Sequence, residues 1–275
     1  MILSFAPFAS EASAGAAPPA LAVAGVLCYL IAGALGHGVK RVPAIALALG
    51  WVLHAVWLAL DIGGLVRATH GVRLGFGPVL SLTAWLIIAV HAVESRVVPL
   101  PGVRRALALF GAVTLAVAWL FPGELHQAAS RYAPLHWVLG VASYGLLGAA
   151  VLHATMLDSA ERQMRLRASG TPGPLGLPLL RLERLTFRFV EAGFAVLTLA
   201  VMLGLATAPQ WRLNHKTVFA LMGWAVFAAL LVGRHWRGWR GRKATRWLYA
   251  GAVLLLLAYV GSRFVFEVML GREVS

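Results

Sequence analysis

Trp51, His54, Trp57 and Asp61 recur at three- or four-residue steps inside one apolar stretch, which places them on a single helix face. A neutral imidazole among tryptophans offers a nitrogen to a metal and flat walls to an aromatic cofactor. The same stripe fits a plainer arrangement. There the histidine faces the bundle and hydrogen-bonds a neighbouring helix, with tryptophan at the membrane border. Spacing alone leaves both open.

His136 heads a second apolar stretch, PLHWVLGVASYGLLGAAVLHA, in which Gly140, Tyr144 and Gly148 follow at steps of four. Small residues on such a face let helices approach closely. The histidine itself reads equally as a ligand or as half of an interfacial pair with Trp137. A third group, His215 and Lys216 beside Arg212, joins Arg131 and Arg73 on one side of the chain's expected topology. Together these cations form a mouth that could receive an anionic group, or anchor lipid headgroups. The remaining intramembrane histidines, His37, His91, His153 and His235, fall near the opposite ends and read as interfacial caps beside basic loops. Arg263 and Glu267, four apart, are expected to pair.

Other chemistries have no visible machinery. Cys28 is the lone cysteine, so there is no disulfide framework and no CxxC redox pair. No GxxxxGK[ST], HExxH, GxSxG or DxD-type cluster occurs, which leaves nucleotide hydrolysis and zinc proteolysis without visible machinery.

What positions these residues is a membrane bundle. A hydrocarbon core of about 30 Å is crossed by roughly 20 apolar residues of helix. Eight stretches qualify, at about 19–38, 42–64, 77–95, 104–122, 134–157, 187–208, 216–233 and 246–268. A hydrophobic content of 60% and a mean hydropathy of +0.80 agree. Backbone polar groups in lipid must be satisfied internally, so the expected fold is all-α: a polytopic bundle of eight transmembrane helices. Residues 1–18 form an outer N-terminal tail, and residues 19–270 a single transmembrane domain with an inner loop at 158–186. That loop ends in RLERLTFRF, an amphipathic run suited to the interface.

The net charge of +14 would suggest nucleic acid in a soluble protein. Here most of the 24 lysines and arginines fall in alternate loops, densest in RHWRGWRGRKATR at 234–246. Basic loops stay on the cytoplasmic side, which puts both termini in the periplasm. The basic run then orients the chain and meets anionic headgroups rather than nucleic acid.

The segment HKTVFALMGWAVFAALLVGRHWRGWRGRKATRWLYAGAVLLLLAYVGSRFV resembles the closing part of the cytochrome c assembly family, the CcsA/CcmC-type proteins. The chain looks like the eight-span YpjD-like subgroup, also related to HemX-like proteins. RLTFRFVEAGFAVLTLAVMLGLA and LHWVLGVASYGLLGAAVLHA resemble the segments leading to the family's tryptophan-rich outer loop and opening on its outer histidine. GFGPVLSLTAWL resembles the entry to span three. The similarity extends over roughly residues 50–270.

The resemblance implies a bacterial inner-membrane protein that holds haem near the outer face and passes it to apocytochrome c. His136 matches the outer haem histidine, and His54 the intramembrane one. Two neutral imidazoles would ligate iron, while Arg131, Arg212 and Lys216 face the propionates. Trp51, Trp57, Trp137 and Trp211 would wall the ring. The chain departs from the family where the tryptophan-rich motif shrinks to APQWRLN, with the single Trp211. The stretch that follows is NHKT, and no histidine follows span eight, which makes His215 the alternative ligand. The expectation is a binding and assembly factor of cytochrome c biogenesis rather than an enzyme. It would work with the bilayer and with apocytochrome c or another maturation protein. The alternatives are a cofactor-free regulatory or scaffold protein, or a small transporter or permease subunit, on the same fold.

Overall fold

The computed structural model describes residues 18–35, 41–63, 72–94, 103–123, 125–126, 130–166, 179–207, 214–261 and 264. Among them eight α-helices follow in order: α1 Pro19–Ala34, α2 Arg41–Ile62, α3 Phe76–Glu94, α4 Val103–Leu120, α5 Ala133–Leu166, α6 Leu179–Thr207, α7 His215–Arg237 and α8 Gly241–Leu256. A π-helical turn, Leu257–Gly261, continues α8. The architecture is all-α, as the apolar runs require.

Seven helices, α2 to α7 and α8 together with its π turn (Gly241–Gly261), are long and apolar enough to cross a membrane. Helix α1 is the exception: its 16 described residues fall short of a full crossing. Helices α5 and α6 exceed one, at 34 and 29 residues. At 1.5 Å per residue, α5 is about 51 Å long. Much of the segment that reads as an inner loop is therefore helix, and the part between Leu166 and Leu179 lies outside the described residues. So do Arg263 and Glu267, the pair expected near the C-terminus. Large apolar side chains such as Leu27, Ile45, Val138 and Met202 are exposed, which suits lipid as their solvent.

The chain forms two compact units, each described in its own surroundings. The first comprises residues 1–81 and 108–127. In it α1 packs on α2, where Gly50 admits the Tyr29 ring; a Cβ there would lie 3.2 Å from it. Two short strands, β1 Val72–Arg73 and β2 Leu125–His126, pair antiparallel with Val72 opposite His126. They tie together two connecting segments that read as loops in the sequence, since two residues carry no readable alternation.

The second unit comprises residues 82–107 and 128–275. Its core gathers Leu147, Phe187, Val190, Phe227, Leu230 and Leu248. The small-residue face of α5 serves several neighbours rather than one. Gly145 and Gly148 meet Leu86 and Ile87 of α3, whereas a Cβ on Gly140 would meet nothing within 4 Å. Tyr144 instead donates to the Leu255 carbonyl of α8 at 2.9 Å, beside the π turn. A widened turn loosens helix carbonyls, and in lipid such a group needs an internal partner.

The end of α7 is set by Gly238, whose φ of 64° suits a residue without Cβ. The next residue, Trp239, then donates its backbone N–H to the Gly233 carbonyl at 3.2 Å. This turn reverses the chain into α8. Arg234 pairs with Glu183 of α6 at 3.0 Å, and Asp158 of α5 accepts from Thr245 and Tyr249 of α8.

Candidate functional site

His54 lies midway along α2 and is 0% exposed. Its Nδ1 is 3.1 Å from the Tyr29 hydroxyl of α1, and its Nε2 is 2.7 Å from the Ser81 hydroxyl of α3. In a neutral ring one nitrogen donates and the other accepts, and a hydroxyl can do either. The imidazole thus joins three helices of the first unit with both nitrogens engaged. A nitrogen offered to iron does not fit this arrangement, because iron would have to displace a hydroxyl. Of the companions on the stripe, Trp51 is half-buried, while Trp57 is buried and its indole N–H meets no acceptor among the described residues.

Asp61, the fourth member of the stripe, is buried and pairs with Arg73 at 3.2 Å, also buried. Arg73, expected in the cationic mouth, is committed to Asp61 instead. Charge burial on this scale requires a partner, which the strand pairing at Val72 and Arg73 brings within reach.

His136 stands one turn into α5 and is half-buried. Its Nδ1 lies 3.0 Å from the Ala200 carbonyl on α6. A carbonyl only accepts, so Nδ1 carries the proton, and in the neutral ring Nε2 keeps a free lone pair. Histidines that bind metal commonly hold their other N–H on a carbonyl in this way. The ring also lies against Gly204, where a Cβ would approach Cε1 to 2.8 Å. Only a residue without a side chain leaves that room.

The same end of the second unit carries the start of α7, because α6 ends at Thr207 and α7 begins at His215. Asn214 caps α7, accepting from the Thr217 backbone N–H at 3.0 Å. His215 is exposed there and Lys216 half-buried. Arg131 sits before α5 with its guanidinium 4.7 Å over the Tyr132 ring, and Trp137 follows His136 half-buried. One end of this unit therefore collects His136, Trp137, Arg131, His215 and Lys216. Trp211 and Arg212, expected beside them, lie outside the described residues.

Two histidines that read as interfacial caps are not caps. His91 and His153 are 6% and 1% exposed, and the Phe189 ring of α6 stacks on His153. Near helix ends, position along the sequence does not reveal which way a side chain turns. His235 is exposed, as expected, and His37 lies outside the described residues.

The Cytochrome C assembly protein family matches residues 45–270. The chain belongs to the cytochrome c assembly family. Within this family it is similar to the inner membrane protein YpjD of Escherichia coli K12, at 30% identity over 240 residues, which covers 84% of this chain and 89% of that one. It is 27% identical over 216 residues to the cytochrome c biogenesis protein CcsA of Parasynechococcus marenigrum, covering 66% of this chain and 71% of that one. An uncharacterized 28.8 kDa protein of Azospirillum brasilense is 29% identical over 236 residues, 82% of this chain and 85% of that one. No solved structure matches. With its seven apolar helices, this cytochrome c assembly family member is a multi-pass protein of the bacterial inner membrane.

Proposed function

We propose that this protein handles haem for cytochrome c maturation, holding it at the end of the second unit where α5 and α7 begin. The observation that carries the reading is the His136 tautomer. With Nδ1–H committed to Ala200, the Nε2 lone pair is the one available to iron. Haem is the cargo here, and its iron supplies the coordination bond that His136 would complete. Arg131, Lys216 and Arg212 are the partners for its propionates, with Trp137 and Trp211 as flat walls and His215 as the alternative ligand. Trp51 and Trp57 share the first unit's stripe with His54, which acts as its three-helix junction rather than as an iron ligand.

In this reading all eight helices cross the membrane, both termini face the periplasm, and the His136 end is the outer one. Charge supports that orientation. The opposite end of the second unit exposes Arg237, Arg240, Arg242, Lys243 and Arg246, the surplus expected on the cytoplasmic side. Partners would be apocytochrome c or another maturation protein in the same bilayer, and no bond-making step is assigned to the protein itself.

The test is the haem Soret band of protein purified from cells supplied with haem precursor. Wild type is expected to show it, and His136→Ala to lose it while remaining folded. A colourless wild type would overturn the proposal and leave a cofactor-free scaffold. That second reading draws on one observation: His54 and Arg73 spend their polar groups within the bundle.

A further inference from the structure

Near the C-terminal end of α3, two buried histidines and a mostly buried glutamate come together, away from the His136 end. Glu94 Oε2 lies 2.8 Å from His153 Nε2 of α5, with side chains 13% and 1% exposed. The pair lies within ion-pair distance without forming a hydrogen bond, and among the described residues neither atom has a hydrogen-bond partner. His91, three residues before Glu94 on α3, lies within electrostatic reach of both, and its Nδ1 also lacks a hydrogen-bond partner. From α6, Phe189 stacks on the His153 ring at 5.3 Å and 3°. Among the described residues none of the three makes a further ion pair.

The second nitrogen of His153 limits what can lie between the pair. Nδ1 is 2.8 Å from the Ala149 carbonyl, which only accepts, so Nδ1 holds a proton. A neutral ring would then leave the Nε2 lone pair and a carboxylate oxygen 2.8 Å apart with no proton between them, two electron-rich atoms that repel. One additional proton resolves the conflict, either as imidazolium beside carboxylate or as imidazole beside carboxylic acid. The proton then belongs to the pair rather than to one residue.

We infer that Glu94 and His153 form a proton-binding site clasping α3 to α5, with His91 as the adjoining acceptor. Its ligand is a single exchangeable proton. The His91 nitrogen, without a hydrogen-bond partner among the described residues, gives that proton a second place to go. Ionisable groups inside membrane helices are costly, and a site that takes up and releases a proton is a common reason for keeping them. The inference is independent of haem, since it concerns the other end of the unit and different residues.

The test uses the full chain in detergent micelles and infrared difference spectra between neutral and alkaline pH. Wild type is expected to show carboxyl and imidazole bands that both disappear in Glu94→Gln. The amide of that variant donates to Nε2 without an extra proton, so its melting temperature should hold at alkaline pH while that of wild type drops by a few degrees. Should Glu94→Gln fail to fold, Glu94→Asp, with its oxygen drawn back, is expected to shift the midpoint of the spectral titration. Difference spectra unchanged by the folded variant would overturn the site. So would a stoichiometric divalent metal, removed by EDTA and absent from the variant, since the shared ligand would then be a cation other than a proton.

Discussion

The imidazole of His136 rests on Gly204, and the Ala200 carbonyl one turn earlier on α6 takes its Nδ1 proton. One helix thus fixes both the tilt of the ring and its tautomer. Replacing Gly204 by Ala would put a methyl group within 2.8 Å of Cε1, and the ring must move. Disturbing such outer contacts typically lowers metal affinity about tenfold or more. Gly204→Ala is expected to weaken haem binding by about that factor, read by haem titration of folded protein, with a shifted Soret maximum. Unchanged affinity would mean that ring placement by α6 does not matter to binding.

His54→Ala acts differently. It leaves the Tyr29 and Ser81 hydroxyls facing each other across an emptied site within three packed helices. Lost packing and unpaired hydroxyls together cost about 2–4 kcal/mol. The variant is expected to melt at lower temperature while binding as much haem per folded molecule as wild type. Loss of the Soret band from well-folded His54→Ala would restore this residue to the ligand set.

Asp61 and Arg73 are buried with each other, so removing one charge takes an ion-pair partner from the other. Breaking a buried pair costs about 3–5 kcal/mol. Arg73→Ala is therefore expected to lower thermal stability markedly, read as a drop in melting temperature. A melting temperature equal to wild type would show that water already solvates the pair.

Tyr144→Phe removes a single hydrogen bond, from the hydroxyl to the Leu255 carbonyl. Hydrogen bonds between membrane helices average about 0.6 kcal/mol and reach about 1.7. A destabilisation of about 1 kcal/mol is expected, measured by unfolding in mixed micelles. A larger loss would indicate that the π turn of α8 collapses without this support.

Much of the fold is readable from hydrophobic run length alone. Spans of about 20 apolar residues have no folded alternative in lipid to a hydrogen-bonded helix, so α2 to α8 follow directly. The segment around WRGRKATR, lying at a charged helix turn, is enough to point to the family. Helix ends are less legible. Outside the hydrocarbon, amphipathic runs such as RLERLTFRF can extend a helix or lie along the interface, and here they extend α6 from Leu179.

The histidines show where sequence stops. Their number, their order along the chain and their membership in apolar helices are local properties, and all are evident without the structure. Which nitrogen is free is not local. The partners of His54 lie 25 and 27 residues away, and that of His136 lies 64 residues away. Only the packing of helices against one another brings a hydroxyl to each nitrogen of His54 and, among the described residues, a carbonyl to one of His136. The same packing turns His153 inward to Glu94 and draws Arg73 onto Asp61. Residue type sets what a side chain can do, and the neighbours supplied by the tertiary structure decide which of its atoms remain able to do it.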